Sequence, residues 1–251
     1  MRDLLRYQND YKNQPYEKFQ VYFRKRKLIE ILHKYNFENL LEIGCGLESI
    51  FLDVVGFKKL YVVEPAEMFY LKAIKDSKVR NLNNIYFLNA TIQNSIKELT
   101  DIKFDFILVS SLLHEIERPI DFLNQIRKLC NKDTIVHINV PNAHSFHRIL
   151  AKESGIIKDI AEKSESNLLF QQATVFTIDS LKKIANDTGF EIIDSGSYSF
   201  KPFTHGQMQK IIDFGILDEK VIHGLYEMEK YFPFYGSEIF INIKLNYFEK
   251  V

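Results

Sequence analysis

The chain has 251 residues, of which 46% are hydrophobic and 26% charged, and this is enough apolar material for a folded α/β domain. Lysine plus arginine total 33 and aspartate plus glutamate also total 33, which argues against a nucleic-acid partner because phosphate-binding proteins usually carry a basic excess. The apolar runs are shorter than the roughly 18 residues of a membrane span, and no signal peptide is expected. Two cysteines are typical of a reducing compartment. We therefore expect a cytoplasmic protein without a membrane partner.

Short apolar runs alternate with longer helical patterns along the first part of the chain, which is typical of βαβ units and a parallel sheet. A helical segment is predicted over residues 1–36. Strands are then predicted at 39–43, 59–64, 85–88, 104–110 and 134–140. Helices are predicted at 48–55, at 66–75 and from Pro119, a residue that suits the first position of a helix.

The pattern changes after residue 141. Residues 142–175 contain a helix and a polar stretch, and Thr177 begins a helix that ends near Gly189. Two further strands, 191–199 and 238–246, flank an aromatic-rich helical segment. The elements predict a Rossmann-like, doubly wound sheet of seven strands, mostly parallel with an antiparallel last strand and helices on both faces. We expect one domain over 1–251, in which an N-terminal segment (1–36) and a core (37–141) precede cap insertions at 142–175 and 202–236.

Two strand ends carry the strongest functional pattern. The first strand delivers Glu42 and then Gly44 and Gly46, and glycines at such a turn let the backbone bend sharply and approach a ligand. The second strand ends in the carboxylate of Glu64. A carboxylate at that position can accept hydrogen bonds from both hydroxyls of a ribose.

These two strand ends resemble motif I and the ribose-binding acidic residue of the class I S-adenosylmethionine-dependent methyltransferases, and the resemblance runs through residues 38–141. Within the family it points to a bacterial small-molecule subgroup near the ubiquinone and sugar-modifying branches. The chain departs from the motif at Glu48, which stands where the third glycine is usual. The resemblance implies that S-adenosylmethionine is the cofactor and that the following residues bind it: Glu42, Gly44, Cys45, Gly46, Glu64, Pro65 and Ala66.

A dinucleotide-binding dehydrogenase is the alternative that shares this geometry. Its Gly-x-Gly-x-x-Gly fingerprint would require glycine at the position of Ser49, and it does not usually have an acidic residue two places before the first glycine. Both differences favour the methyltransferase.

The resemblance implies further cofactor contacts outside the glycine turn. Ala90, Thr91 and Ile92 follow the third strand, where the family contacts adenine. Ser110 and Ser111 end the fourth strand, where the family faces the methionine part of the cofactor. At the N-terminus, Tyr11 and Arg24 are candidates because related enzymes often close over the cofactor with such a segment.

Histidines after the fourth and fifth strands are candidates for a general base, since a neutral imidazole accepts a proton near neutral pH. We consider His114 and His144 for this role, with packing as the other reading for His114 and a solvated helix start for His144. Five residues are candidate substrate contacts: Asn142, His147, Arg148, Phe203 and His205. The spacing of the seven histidines matches no metal-binding motif, so no metal is expected.

The expected function is methylation of a small polar molecule, with O-methylation of a sugar, a phosphoryl compound or a precursor in polysaccharide biosynthesis preferred. N-methylation of an amino sugar or a protein is the alternative, and a non-catalytic S-adenosylmethionine-binding protein is a third reading. The sequence leaves monomer and homodimer open.

Overall fold

A computed structural model describes residues 16–163, 167–168 and 172–246 of the chain, and the predicted cofactor contact Tyr11 lies outside this part. The strands are β1 (Asn39–Ile43), β2 (Lys59–Val63), β3 (Ile85–Leu88), β4 (Phe106–Ser110), β5 (Ile135–Pro141), β6 (Phe190–Tyr198) and β7 (Glu238–Leu245). The helices are α1 (Glu17–Leu32), α2 (Glu67–Val79), α3 (Ile92–Leu99), α4 (Pro119–Leu129), α5 (Phe146–Glu153), α6 (Ile178–Asp187), α7 (His205–Asp213) and α8 (Glu219–Glu227).

The seven strands form one sheet in the order β3-β2-β1-β4-β5-β7-β6. The pairs among β1 to β5 are all parallel, whereas β7 runs antiparallel to both β5 and β6. The strand order reverses between β1 and β4, and in an open sheet of this kind a ligand binds beside that switch point, at the carboxyl ends of the strands. The predicted fold class is confirmed.

Alternate side chains of each strand feed two separate cores, one on each face of the sheet. On one face, Leu41 and Ile107 pack with apolar residues of α3, α4 and α6. On the other face, Leu40 and Phe106 pack with residues of α1, α2 and α8. Because the strands are covered on both faces, they are apolar along most of their length, and this explains why their predicted bounds differ from the observed ones by no more than two residues.

One helix prediction is wrong, and one observed helix was not predicted. The helix predicted at 48–55 is only a short 3₁₀ turn, Ile50–Leu52, because the buried Glu42 side chain binds the start of that turn and holds the chain away from a regular helix. In contrast, α3 was not predicted. Its sequence contains Asn94 and Ser95, which are weak helix formers, and it is stabilised by burial of Ile92 and Leu99 in the core.

The regions predicted as cap insertions contain helices in the described part of the chain. The first holds α5 and the second holds α7, α8 and a 3₁₀ turn at Met228–Lys230. Their role as a cap stays a prediction. Among the residues described, no helix combines the length and the hydropathy of a membrane span.

Candidate active site

A cavity of about 770 Å³ opens at the carboxyl ends of β1, β2 and β4. A cavity of that volume accommodates a cofactor-sized ligand. Its floor is formed by the loops that follow these strands, and α1 covers it from above. Twelve of the predicted cofactor contacts line this cavity: Arg24, Glu42, Gly44, Cys45, Gly46, Glu64, Pro65, Ala66, Thr91, Ile92, Ser110 and Ser111.

The turn after β1 depends on two glycines with left-handed backbone conformations. Gly44 has φ +78° and Gly46 has φ +56°. The Gly44 N–H donates to the Val63 carbonyl at 2.8 Å, which ties the turn to the end of β2. A Cβ at Gly44 would lie 3.2 Å from Leu112 Cδ2, so a larger residue would be both strained and crowded. The turn therefore brings bare backbone to the wall of the cavity.

The Glu64 carboxylate joins the ends of β1 and β2. It is 4% exposed, and its two oxygens accept hydrogen bonds from the Gly46 N–H at 3.1 Å and the Ala66 N–H at 2.8 Å. The Asn89 side chain donates to the Glu64 carbonyl at 2.9 Å and fixes the backbone there. Burial raises the pKa of Glu64, while the two N–H donors favour the charged form. The Cys45 N–H and thiol act on the carboxylate in the same direction, so donors from the ends of β1 and β2 hold the side chain at the cavity wall.

The Glu42 carboxyl serves the loop as well as the cavity. One oxygen accepts from the Ile50 N–H at 2.9 Å, and the other accepts a hydrogen bond from the Ser49 hydroxyl. Burial raises its pKa to about 7. Both oxygens therefore help to shape the turn, and the residue also lines the cavity.

The loops after β3 and β4 complete the floor. Thr91 and Ile92 line the cavity, whereas the predicted contact Ala90 is not among its lining residues. Ser111 has φ +51°, and its N–H donates to the Asn139 carbonyl at 3.0 Å, which turns the chain sharply at the end of β4. The Glu115 carboxylate follows on the same side and also lines the cavity.

Helix α1 is held over the cavity by ion pairs. The Lys25 Nζ lies 2.6 Å from Glu48 Oε2 and 2.7 Å from Asp53 Oδ2, on the loop after β1. Glu48, which stands in place of the third motif glycine, thus anchors the covering helix. Arg24 pairs with Glu238 at 2.7 Å, so its guanidinium is tied to β7.

The Glu238 carboxylate lies at the centre of a buried polar network. Besides Arg24, it accepts hydrogen bonds from the Asn139 amide at 2.8 Å and the Tyr198 hydroxyl at 2.5 Å. Burial alone would raise its pKa, but the Arg24 charge and these hydrogen bonds outweigh burial, and the net shift is downward.

The two histidines considered as general bases do not line the cavity. His114 is buried in the 3₁₀ turn after β4, where its carbonyl accepts from the Ala173 and Thr174 N–H groups. His144 is exposed to solvent, and its ring lies 6.3 Å from the ring of Tyr235. Because neither side chain reaches the cavity wall, a catalytic role for either would require a different arrangement.

The five predicted substrate contacts also lie outside the cavity wall, for different reasons. The Asn142 amide donates to the Phe234 and Gly236 carbonyls, and the Arg148 guanidinium donates to the Ile160 and Glu162 carbonyls, so both stabilise loops. Phe203 is an exposed side chain in the segment before α7. His147 and His205 form part of a polar cluster next to the cavity.

Several lining residues were not predicted from the sequence. They come from α1, the start of α3, the 3₁₀ turn after β4 and α7, and they include Tyr16, Lys18, Gln93, Glu115 and Gln209. No local motif marks them. Tyr16 and Lys18 lie at the beginning of α1, close to the predicted contact Arg24, whereas Gln209 of α7 joins the site only through the tertiary fold.

The described residues contain no group of three histidine, cysteine, aspartate or glutamate side chains arranged to hold a metal ion. Both cysteines are unpaired thiols, and burial raises the pKa of each.

Residues 21–195 match the model of a family described as a methyltransferase domain. No curated protein sequence matches the chain.

Solved structures with a similar fold include an S-adenosylmethionine-dependent methyltransferase of Thermotoga maritima, named as a possible histamine N-methyltransferase. It has 18% identity and a TM-score of 0.61, with 91% of this chain and 90% of that one covered. An S-adenosylmethionine-dependent methyltransferase of Archaeoglobus fulgidus has 16% identity and a TM-score of 0.56, with coverage of 91% and 96%. The plantazolicin methyltransferase BpumL, solved in complex with S-adenosylhomocysteine (SAH), has 17% identity and a TM-score of 0.54, with 94% of this chain and 87% of that one covered. At these identities the likeness concerns the fold.

Proposed function

The chain belongs to the methyltransferase-domain family and is an S-adenosylmethionine-dependent methyltransferase, and we propose that it methylates a small polar molecule in the cavity beneath α1. The observation that carries the proposal is the buried Glu64 carboxylate at the wall of a 770 Å³ cavity, held by N–H donors from two strand ends. A carboxylate at this strand end is the group that can accept hydrogen bonds from the ribose hydroxyls.

The cofactor is proposed to lie across the strand ends with its ribose on Glu64. The methionine part would then rest on the turn at Gly44 and Gly46 and reach Ser111, while adenine would lie between Ala66 and Ile92. This placement uses the open backbone of the glycine turn, where no Cβ separates the ligand from the chain.

Methyl transfer from a sulfonium is an in-line displacement, in which the acceptor atom forms a bond to the methyl carbon as the bond from sulfur to that carbon breaks. Because the donor is already activated, the protein can gain several kcal/mol from holding acceptor and methyl group in line. A hydroxyl acceptor must also lose its proton. The Glu115 carboxylate lines the cavity beside β4 and is the group we propose to receive it.

The acceptor is proposed to be a sugar, a phosphoryl compound or a polysaccharide precursor that is methylated on oxygen. Polar side chains on the α1 and α7 side of the cavity, including Glu17, Lys18 and Gln209, support a hydroxyl-rich acceptor because they offer both donors and acceptors. An amine acceptor is the alternative, and the name of the Thermotoga protein gives a reason to test it.

The cofactor assignment is tested by calorimetry with SAH. We expect Glu64→Ala to weaken SAH binding by more than about tenfold, since each lost charge-assisted hydrogen bond to a ribose hydroxyl is worth about 1.5–3 kcal/mol. Glu67→Ala, which removes an exposed carboxylate three residues away, is the matched control and should bind SAH as the unaltered protein does. Equal affinities of the Glu64→Ala variant and its control would contradict the ribose assignment.

The acceptor is identified by incubating the protein with S-adenosylmethionine labelled with ¹³C in the methyl group and with fractions of a metabolite extract. The chemical shift of the transferred carbon separates an O-methyl from an N-methyl product. Tight cofactor binding without transfer to any fraction would contradict a small-molecule acceptor.

A further inference from the structure

A cluster of three basic side chains lies next to the cavity, beneath the beginning of α1. Lys201 follows β6 and is only 3% exposed. His147 lies in the first turn of α5, and His205 is the first residue of α7. The three groups act on one another electrostatically, because the Lys201 charge lowers the pKa of both imidazoles. We call these three residues the basic cluster.

The basic cluster holds polar atoms without partners in the described part of the chain. Lys201 is almost completely buried, and no hydrogen bond or ion pair joins it to another described residue. The His147 Nδ1 and the neighbouring Tyr16 hydroxyl are also buried and have no hydrogen-bond partner. An unsatisfied buried polar group costs about 1–3 kcal/mol, and a charged one costs more, so such a set points to a missing ligand.

Two carboxylates lie near Lys201, but neither forms an ion pair with its ammonium group. The carboxylate of Glu238 raises its pKa, but that group is already occupied by Arg24, Tyr198 and Asn139. Glu17 acts in the same direction and lies 3.8 Å from Arg24. Burial nevertheless dominates and lowers the pKa of Lys201 to about 7.

Burial is also the main cause that lowers the pKa of His147 and of His205, and repulsion by the positive charge of Lys201 lowers both further. The Gln20 amide already donates to the His205 Nε2 at 3.0 Å, which leaves the Nδ1–H of that ring for a ligand. An anion in contact with the three groups would accept hydrogen bonds from them and favour their charged forms.

Helix α5 adds a second feature that favours an anion. Its N-cap residue Ser145 forms no side-chain cap, and the buried Ser145 hydroxyl has no partner among the described residues. The N-terminus of a helix carries partial positive charge, so it stabilises a negative group placed there. His147 is the second residue of this helix and therefore lies in the same positive electrostatic potential.

The basic cluster is connected to the cavity through Tyr16. The Tyr16 ring lines the cavity and stacks on His205, with ring centres 6.0 Å apart. Gln209, one turn further along α7, lines the cavity and accepts a hydrogen bond from the Tyr16 N–H at 2.9 Å. The three basic residues themselves do not line the cavity, so an acceptor that reaches them from its α1 side would have to displace the buried Tyr16 ring.

We propose that Lys201, His147 and His205 bind an oxyanion, either a carboxylate or a phosphate, carried by the methyl acceptor. This proposal rests on the proposed function, because it assigns one end of the same acceptor molecule. The proposal restricts the methyl acceptor to an anionic molecule. The negative group of that molecule would lie behind Tyr16, away from the sulfonium of the cofactor.

The test follows the ring signals of His147 and His205 by NMR while inorganic phosphate and, separately, acetate are added. We expect the histidine ring signals to shift saturably with one or both anions. The anion that binds more tightly indicates whether the acceptor carries a phosphate or a carboxylate. Lys201→Met should weaken that binding by at least tenfold. The matched control is Lys210→Met, which removes an exposed lysine on α7, and it should leave the titration unchanged.

The proposal would be overturned if neither anion perturbed the signals of the two histidines. It would also be overturned if the Lys201→Met variant bound the anion as tightly as the unaltered protein does. A second variant, His147→Leu, is included in case the first one does not fold, and it should also weaken anion binding at least tenfold. SAH binding, measured on the same samples, reports on the cofactor site alone. Loss of anion binding with SAH binding retained therefore separates the two proposals.

Discussion

The site has two proposed sides that are built in different ways. The proposed cofactor side lies around Glu64 and the glycine turn, and the proposed acceptor side lies around the beginning of α1 and the basic cluster. On the cofactor side, Glu64 receives N–H donors from Gly46 and Ala66, which follow its own strand or the neighbouring one. On the acceptor side, Arg24 and Glu238 pair although they are 214 positions apart in the chain. The cofactor side is complete before a ligand arrives, whereas the basic cluster contains unsatisfied groups. Rigid loops suit a constant cofactor, and open polar groups suit a variable acceptor.

The largest effect is expected at the Arg24–Glu238 ion pair of the proposed acceptor side. Arg24→Met should lower the free energy of unfolding by about 3 kcal/mol, because it leaves the buried Glu238 carboxylate without its cation. Urea denaturation measures this loss. The double variant Arg24→Met/Glu238→Gln should regain part of it, while Arg118→Met, at an exposed pair, should change stability by less than about 0.5 kcal/mol. Equal losses in the single and double variants would contradict a charge effect.

The glycine turn tests the cofactor side. Gly44→Ala and Gly215→Ala both place a Cβ at a left-handed residue, with φ +78° and +70°, so each should cost about 1 kcal/mol of stability. Only the first Cβ crowds Leu112 at the cavity wall. SAH affinity, measured by calorimetry, should therefore fall about tenfold for Gly44→Ala, or about 1.4 kcal/mol, and stay constant for Gly215→Ala. The same affinity in both would show that the turn does not approach the cofactor.

A stability measurement sharpens the description of the acceptor side. Lys201→Met should raise the free energy of unfolding at pH 7 by about 1 kcal/mol or more, because a buried amine without a partner opposes folding.

Titration of the lysine gives this effect a pH dependence. Burial lowers the pKa of Lys201 to about 7 in the folded protein, from its ordinary value of 10.5, so the unfolded chain binds more protons between these values. Stability of the unaltered protein should therefore rise with pH across this interval, and the advantage of Lys201→Met should shrink. Thermal unfolding from pH 7 to 10 measures both curves, and a constant difference would refute burial of the charged group.

The smallest effect is expected at His144. Its imidazole is exposed and does not line the cavity, so His144→Ala should change kcat/KM by less than about twofold. A fall of about a hundredfold, within the range of a lost general base, would restore this histidine as a catalytic candidate and would mean that the region rearranges around the acceptor.

Sequence patterns predicted twelve residues that line one cavity, because the contacts that bring them together are local. The spacing of Glu42, Gly44 and Glu64 reflects strand ends and tight turns, which short stretches of chain determine by themselves. The helix predicted at 48–55 failed where a long-range bond from Glu42 competes with helix formation. Helix α3 was missed because burial stabilises it more than its own sequence does.

The acceptor side could not be predicted in the same way. His147 and His205 were proposed as substrate contacts, but Lys201 gave no signal, since a single lysine after a strand is usually exposed. Its burial depends on the packing of α1, α5 and α7 around the end of β6, and these elements lie far apart in the chain.

By itself, the amino-acid sequence determined the order of strands and helices, the sharp turn after β1 and the carboxylate at the end of β2, because backbone conformation and hydrophobic periodicity are set by neighbouring residues. Only the tertiary structure decided which polar side chains meet beneath α1 and lose their contact with water. Desolvation and the interaction between charges depend on distances between segments that are remote in sequence. For that reason the predicted bases His114 and His144 do not line the cavity, and the burial of Lys201 was not predicted.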